Sequence, residues 1–336
     1  MKLSVIFCGR NDNYNGDFLG RLSLSIMSLQ RVLSNTEWEL ILVDYNPPDN
    51  SKLLCELYPQ NNIKHLVVSK NLHTEFIQRH IDCGAQFLYK NKDIKSEIFN
   101  LCNFMPHMGV NYGLQFAQGE YVLSSSTDNI FNKSLEQTIT KLEPNILYRS
   151  WRKNIHAEKG HELFDHIVSE REYSNDSDMI SLNNNRKKIN KATGDFLLVD
   201  KATWVEIGGY IPITHPRPVH IDSLFMYYLF LIGKRGMGVQ SCLVNMHKES
   251  PIQYTDLAAY LNYVINYNGV YYNHFSELCR PSYSKYRQLG KSPLETNKCY
   301  YFKGNKEDEE RRSEVKEMFK NIWDFKNEKN RVQFIG

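Results

Sequence analysis

The chain has 336 residues, of which 41% are hydrophobic, 12% aromatic and 24% charged. This composition is typical of globular proteins and excludes collagen-like, low-complexity and disordered chains. Its 41 basic and 38 acidic side chains leave a formal net charge of +3, an excess too small to indicate a nucleic-acid partner. The length fits one large domain or two smaller ones.

Cysteine usage and hydropathy predict the compartment. The seven cysteines are scattered and never form a CxxC pair, which argues against a disulfide framework or structural zinc site and favours a reducing compartment. No secretory signal fits the N-terminal sequence, because the apolar run 3–8 is short and polar residues follow it. The longest apolar run, residues 224–233, falls well below the roughly 20 residues that a membrane span needs. We therefore expect a soluble cytoplasmic protein, at most peripherally attached to a membrane.

Strand-like and helix-like segments alternate in the first part of the chain. Residues 3–8 and 38–44 are short apolar runs, and between them apolar residues recur at helical spacing from Leu22 to Leu33. Residues 63–68 predict a third strand, residues 111–118 a helix that stops at Gly119, and residues 121–126 a fourth strand. This alternation predicts an α/β fold with a mainly parallel sheet flanked by helices.

The pattern is less regular beyond residue 150. The polar stretch 151–192 predicts a long insertion, a mobile loop or an acceptor-binding loop. A strand over 194–199, a short helix near 202–207 that ends at Gly208-Gly209, a helix over 222–232 and a strand over 239–244 follow. Residues 254–336 predict helices, with a charged face over 303–330 that is either solvated or docks a partner.

Several motifs of other enzyme classes are missing from the sequence. A Gly-rich fingerprint does not follow the first strand and there is no GxxxxGK[ST], which disfavours dinucleotide oxidoreductases and P-loop NTPases. His161 and His166 lie five positions apart, which on a helix separates the two rings by roughly 140°. They therefore cannot share a metal ion from one helix face.

Polar residues follow the ends of the first two predicted strands. Arg10 and Asn11 come after the first strand, and Asp44 ends the second. Ligands of open parallel sheets bind outside the carboxyl ends of the strands, where an acid such as Asp44 can accept hydrogen bonds from a nucleobase. The alternative for Asp44 is a turn-forming residue before Asn46-Pro47.

Three further segments carry candidate site residues. Residues 109–121 (GVNYGLQFAQGEY) place Asn111 on a helix rich in small residues, and residues 122–131 (VLSSSTDNIF) place Asp128 after the fourth strand. Residues 193–210 (TGDFLLVDKATWVEIGGY) begin with Gly194 and Asp195. Asp222 then opens the next predicted helix, where an N-cap is its structural alternative.

In this order the segments resemble the GT-A fold glycosyltransferases, particularly the family 2-like enzymes that use nucleotide-sugar donors. The resemblance covers residues 3–247 and implies a GT-A (Rossmann-like) domain over 1–250. The tail adds nothing to the resemblance, and its own sequence pattern predicts a helical C-terminal extension over 251–336. It implies a nucleobase beside Asp44 and a catalytic base at Asp222. The donor-binding residues that it implies are Arg10, Asn11, Asp44, Asn111, Asp128, Gly194 and Asp195.

The resemblance also implies a divalent metal, Mn²⁺ or Mg²⁺, although the chain departs from the family pattern. Asp128 matches the last acid of the D-x-D motif, and His247 matches a histidine that completes the metal site in many relatives. Ser126 stands where the first acid belongs, which puts the metal dependence in question. Ile221 replaces the companion acid of the catalytic aspartate.

The implied reaction transfers a sugar from a nucleotide-sugar, a UDP-sugar, to a glycan or lipid-linked acceptor, as in polysaccharide biosynthesis. It proceeds by a single displacement with inversion, with Asp222 as base. The two departures keep open a non-catalytic nucleotide- or glycan-binding protein on a GT-A scaffold. A sugar nucleotidyltransferase is the other alternative, disfavoured because residues 8–20 lack a dense Gly-rich basic loop.

Other segments have two interpretations each. The basic side chains near the polar stretch can contact a diphosphate or an anionic acceptor, or belong to a solvated loop. The tyrosines of residues 260–272 can stack on sugars or pack a helical core, and the C-terminal helices can support an oligomer. The basic side chains are Arg149, Arg152, Arg186, Lys187 and Lys188.

Overall fold

The computed structural model describes residues 2–14, 16–82, 103–170, 194–210, 222, 225, 229, 234–247, 299–301 and 327–335. The first elements alternate as the sequence predicts: β1 (Lys2–Gly9), α1 (Phe18–Val32), β2 (Glu37–Tyr45), α2 (Leu54–Leu57), β3 (Ile63–Val68), α3 (Lys70–Asp82), α4 (Pro106–Leu114) and β4 (Tyr121–Ser125). The later elements are β5 (Asn129–Phe131), α5 (Lys133–Ile139), β6 (Ile146–His156), α6 (Ala157–Glu162), α7 (Phe164–Ser169), β7 (Phe196–Asp200), α8 (Lys201–Ile207), β8 (Arg235–His247), β9 (Cys299–Tyr301) and β10 (Gln333–Ile335).

The strands of the described residues form one sheet in the order β10-β3-β2-β1-β4-β7-β6-β8-β5, with β9 also paired to β8. The four strands β3, β2, β1 and β4 are mutually parallel. They are buried apolar runs, as expected of parallel strands covered on both faces. The predicted α/β class with a largely parallel central sheet is therefore confirmed.

The sheet continues beyond β4 with mixed polarity. Strand β7 is antiparallel to both β4 and β6, whereas β6 and β8 are parallel to each other. Because β2 and β4 flank β1 on opposite sides, the strand order changes direction at β1. The carboxyl ends of β1 and β4 thus form a topological switch point, the place where open α/β sheets bind ligands.

Two predicted boundaries are wrong. The predicted polar insertion begins with regular structure, since β6 runs to His156 and α6 and α7 follow. Strand β6 was missed because several of its side chains, such as Arg149 and Arg152, are polar and paired with acids. The helix predicted to reach residue 118 ends at Leu114, and Gly119 packs instead against the backbone of β1.

Beyond position 250 the structure describes residues 299–301 and 327–335, which hold the two short strands β9 and β10 and one 3-10 turn, Lys329–Arg331; the predicted helices of the rest of this segment lie outside the described residues. Strand β9 pairs with β8, and β10 pairs with β3, both antiparallel. The domain boundary at residue 250 remains a prediction. Residues 171–193, including Arg186, Lys187 and Lys188, and residues 260–272 lie outside the described part of the chain. Within that part, no helix has the length and apolar character of a bilayer-spanning segment.

Candidate active site

The candidate site lies at the carboxyl end of β4, beside the switch point. Asp128 follows β4, and Asp195 directly precedes the antiparallel neighbour β7, so both reach the same end of the sheet. The Ser125 hydroxyl donates a hydrogen bond of 2.5 Å to the backbone oxygen of Asp195. This contact fixes the start of β7 against the end of β4.

Asp128 is held by a buried arginine of α1. Arg21 Nε donates to Asp128 Oδ1 over 3.1 Å, and the two side chains are 2% and 24% exposed. The same guanidinium donates to the carbonyl oxygens of Gly16 and Tyr14, the latter at 2.7 Å. Burial raises the pKa of the Asp128 carboxyl, and Arg21 opposes that rise. Arg21 therefore connects the loop after β1 to the acid after β4.

A polar stripe on α1 supports this segment further. The Ser25 hydroxyl donates to the Thr127 carbonyl over 2.6 Å, and the Ser28 hydroxyl accepts from the Phe131 N–H over 3.0 Å. Both serines and Arg21 are buried and share one helix face, four and three positions apart. These three residues belong to none of the predicted site segments. Polar residues at helical spacing within an otherwise apolar helix are the signal that identifies them.

Asp195 is paired with an accessible arginine. Arg152 of β6 donates to Asp195 Oδ2, and the side chains of the two residues are 27% and 26% exposed. Asp195 is also close enough to Asp128 for its negative charge to contribute to the raised pKa of that acid. The two carboxylates thus belong to one electrostatic cluster.

Asp222 packs directly against Gly194, as close approach at a glycine allows. A Cβ atom at position 194 would lie 2.6 Å from Asp222 Cγ, so a side chain there would displace the acid. Arg149 of β6, whose side chain is 0% exposed, donates to Asp222 Oδ2 over 3.2 Å. Both residues that the sequence analysis placed near the donor sugar, Gly194 and Asp195, therefore lie next to the predicted base.

A buried aromatic group lies beneath the acids. The rings of Trp204 and Phe225 stack with centroids 4.2 Å apart, and Tyr210 packs against both. Phe225 is helical and three positions after Asp222, so the stack anchors the helical segment that carries the acid. Burial raises the pKa of the Tyr210 hydroxyl, and the nearby Asp222 and Asp195 charges raise it further. Tyr210 therefore lies within electrostatic reach of both acids.

Asp44, Arg10 and Asn11 come together at the ends of β1 and β2. Asp44 is buried, and its Oδ2 accepts from the backbone N–H of Leu54 over 2.9 Å. Burial raises the pKa of Asp44 to about 6, against the opposing effects of the Leu54 N–H and Arg10.

Arg10 donates to the Asn46 carbonyl over 2.7 Å. Asn11 donates to the Lys52 carbonyl over 3.1 Å, so in this conformation both brace the loop that covers Asp44.

Asn111, predicted to bind the donor, makes structural contacts in this fold. Its side chain is fully buried on α4, away from solvent. Nδ2 donates to the Tyr210 carbonyl over 2.8 Å, and Oδ1 accepts from the Tyr210 N–H over 2.6 Å. Both ends of the amide thus hold the turn after α8, so Asn111 positions Tyr210, and its role in donor binding remains a prediction.

The end of β8 lies beside Asp128, as the sequence analysis expected of His247. The Met246 N–H donates to the Asp128 carbonyl over 2.8 Å, and the backbone of His247 pairs with that of His156. The His247 side chain and Ile221 lie outside the described part of the chain. The metal role of His247 therefore remains a prediction.

The described residues do not by themselves fit a divalent cation. Among them, no group of three or more histidines, cysteines, aspartates or glutamates is placed to hold a metal ion. Asp128 offers one carboxylate, and Arg21 occupies its Oδ1. The three acids Asp128, Asp195 and Asp222 are each paired with an arginine, so the cluster lacks the excess negative charge that attracts Mn²⁺ or Mg²⁺ to oxygen ligands.

No protein-family model matches the sequence, and no curated protein matches it either. Solved structures similar to the chain include the mannosyltransferase PcManGT from Pyrobaculum calidifontis in complex with GDP-Man and Mn²⁺, at 12% identity and a TM-score of 0.40. That match covers 87% of this chain and 65% of the mannosyltransferase, so this chain spans less than two thirds of its length.

Two other solved structures have comparable likeness. TarS 1–349 from S. aureus is 15% identical with a TM-score of 0.44, over 86% of this chain and 81% of that chain. The apo-form glycosyltransferase GlyE from Streptococcus pneumoniae TIGR4 is 11% identical with a TM-score of 0.37, and the match covers 88% of this chain and 66% of GlyE. At TM-scores below 0.5, these likenesses carry no weight for the assignment of a function, which depends on the site itself.

Proposed function

We propose that the chain is a GT-A glycosyltransferase that moves a sugar from a nucleotide-sugar donor to a hydroxyl group of a glycan or lipid-linked acceptor. The observation that supports this function is the cluster of Asp128, Asp195 and Asp222 at the carboxyl end of β4. Acids from three separate stretches of the chain meet at the ligand-binding edge of a parallel sheet. The buried Asp44, beside Arg10 and Asn11, supports a nucleobase subsite at the neighbouring strand ends, and we propose uracil as the base.

The proposed reaction is a single displacement with inversion. The acceptor oxygen forms a bond to the anomeric carbon as the bond from that carbon to the diphosphate breaks, and the bonding electron pair leaves with the diphosphate. Asp222 takes the proton of the acceptor hydroxyl. Arg149 fixes Asp222 through Oδ2, and the other carboxylate oxygen receives the proton. Asp195 accepts hydrogen bonds from donor-sugar hydroxyls.

Replacing Asp222 with Asn tests the base assignment. Because a general base contributes roughly 10²–10⁴-fold to rate, Asp222→Asn should lose at least about 100-fold in kcat while its affinity for UDP changes less than about threefold. The measurement is release of UDP from a panel of UDP-sugars with glycan acceptors, together with calorimetric binding of UDP. Asp165→Asn, which removes an exposed carboxylate of α7, is the matched control and should keep wild-type activity.

The outcomes separate the candidate functions. An Asp222→Asn variant that keeps most of its rate contradicts the base assignment. A wild-type chain that binds UDP yet releases none from any UDP-sugar favours the second candidate, a non-catalytic nucleotide- or glycan-binding protein. The observation that keeps this candidate is the Arg149 ion pair, which neutralises the acid assigned as base.

A further inference from the structure

The three arginines of the acid cluster differ sharply in exposure. Arg21 is 2% exposed and Arg149 is 0% exposed, whereas Arg152 is 27% exposed. Arg21 also binds two backbone carbonyls, from Tyr14 and Gly16, so its guanidinium is committed to the fold. Arg152 is therefore the arginine of the cluster that a ligand arriving from solvent can reach.

The charges of the cluster pose a problem for a diphosphate ligand. Three guanidinium groups and three carboxylates cancel, so the described cluster offers no net positive charge to a nucleoside diphosphate. The carboxylates do not fit a divalent cation that would supply such charge, because Arg21 already occupies Asp128. Within the described cluster, positive charge for the diphosphate can come from a rearranged ion pair.

We propose that Arg152 exchanges its partner Asp195 for the diphosphate of the donor, and that the chain binds its nucleotide without a divalent cation. This inference rests on the proposed function. A guanidinium binds phosphate oxygens through two parallel N–H bonds, in the same geometry as its bond to a carboxylate. The exchange thus preserves the coordination of Arg152.

The exchange also releases Asp195 at the place where the proposed reaction needs it. The Asp195 backbone is fixed by Ser125 and Asn129, so its carboxylate remains beside the site when Arg152 turns to the ligand. The freed carboxylate can then accept hydrogen bonds from the donor sugar. Arg152 is in this proposal a binding residue for the leaving group, and the Asp195 carboxylate competes with the diphosphate for it.

Calorimetric titration of the full chain with UDP, GDP and uridine, in EDTA and in Mn²⁺, tests the exchange. At least one of the two nucleoside diphosphates should bind in EDTA, with a Kd within about threefold of its value in Mn²⁺. Arg152→Met should weaken that binding at least about tenfold under both conditions, as expected for one lost charge-assisted contact. It should leave uridine affinity unchanged. Arg152→Lys should lose less affinity for the nucleoside diphosphate, because lysine keeps the positive charge although it lacks the two parallel N–H donors of the guanidinium.

A second variant tests whether the Asp195 carboxylate competes with the diphosphate for Arg152. Asp195→Asn removes the competing carboxylate and should tighten nucleoside diphosphate binding in EDTA by about threefold or more, a gain that a merely structural role does not produce. Arg31→Met is the matched control, because Arg31 forms an ion pair with Asp165 away from the cluster. Its diphosphate affinity should equal that of the wild type, and thermal unfolding of every variant checks folding.

The contradicting outcomes are distinct. Binding that requires Mn²⁺, wild-type affinity in Arg152→Met, or unchanged or weaker binding in Asp195→Asn overturns the exchange and leaves the glycosyltransferase assignment standing. If no nucleoside diphosphate binds in either condition, the proposed function itself is wrong.

Discussion

Asp44 shows how one buried carboxylate sets a pH dependence. Its side chain is 2% exposed, Oδ2 accepts from the Leu54 N–H, and the buried Oδ1 has no hydrogen-bond donor among the described residues. Burial raises its pKa from 3.8 to about 6. The folded state therefore holds this proton more tightly than the unfolded state, and the carboxylate lowers the free energy of unfolding as the pH rises from about 4 to about 6.

We expect Asp44→Asn to be more stable than the wild type at pH 7.5 and equally stable near pH 4. The amide keeps an acceptor for Leu54 N–H and removes the cost of a buried charge, which is about 1 to 3 kcal/mol above pH 6. Urea unfolding at several pH values measures the difference. Asp165→Asn changes an exposed carboxylate, so its difference in free energy of unfolding from the wild type should not grow with pH. An effect of Asp44→Asn that is the same at every pH would contradict a buried charge at this position.

The acids of the site could be predicted from the sequence, whereas their partners could not. Asp128, Asp195 and Asp222 lie beside predicted element ends, where local pattern and motif order are informative. Their arginines are far away in the chain, with 107 positions between Arg21 and Asp128 and 73 between Arg149 and Asp222. Only the order of the strands brings them together, and no local pattern encodes it. The same long-range packing brings the Asn111 amide to the Tyr210 backbone, 99 positions away in the chain.

At the scale of elements, α4 and the turn that follows it pack on β1 through glycines. A Cβ atom at Gly109 would lie 2.1 Å from the Cys8 sulfur and 3.1 Å from Cys8 Cβ. A Cβ atom at Gly119 would lie 2.5 Å from the backbone nitrogen of Ser4. The first collision involves a side chain and the second involves backbone, so the two glycines should respond differently to a compensating change.

We expect Gly109→Ala to lower the free energy of unfolding by about 1 to 3 kcal/mol, because overpacking forces buried groups apart. Cys8→Ala removes the sulfur, so the double variant should be more stable than the sum of the two single effects predicts. Chemical unfolding of the four proteins in this cycle measures the coupling. Gly119→Ala should be destabilising to the same extent in the wild-type and Cys8→Ala backgrounds, and additive effects at Gly109 would contradict the packing argument.

The elements that the sequence predicted best are those whose burial is uniform. Strands β1, β2 and β4 are buried along almost their whole length, and their short apolar runs identify them. Strand β6 lies between β7 and β8 in the sheet, yet its sequence contains Arg149, Arg152 and Asn154. Because Arg149 and Arg152 are paired with acids from other stretches of the chain, a strand inside the sheet has the composition of a loop.

At the scale of the whole molecule, residues 327–335 close one edge of the sheet. Strand β10 pairs antiparallel with β3, which would otherwise be an open edge. Glu328 is buried and receives hydrogen bonds from Arg79 of α3, Tyr112 of α4 and Arg331. A single buried carboxylate therefore joins the C-terminal segment to two helices that are distant in the sequence.

Glu328→Gln should lower the free energy of unfolding by about 1 to 3 kcal/mol, since it leaves two guanidinium groups facing a neutral amide in a buried position. Glu75→Gln is a closely matched control, because Glu75 pairs with the same Arg79 and Arg331 but is 49% exposed, and its loss should cost less than about 1 kcal/mol. Hydrogen exchange should show that Glu328→Gln raises exchange in β10 and β3 while β1 remains protected, because the network holds the edge rather than the centre of the sheet. Equal effects of the two substitutions, or a rise in exchange spread evenly over the sheet, would mean that Glu328 does not hold the C-terminal segment in place.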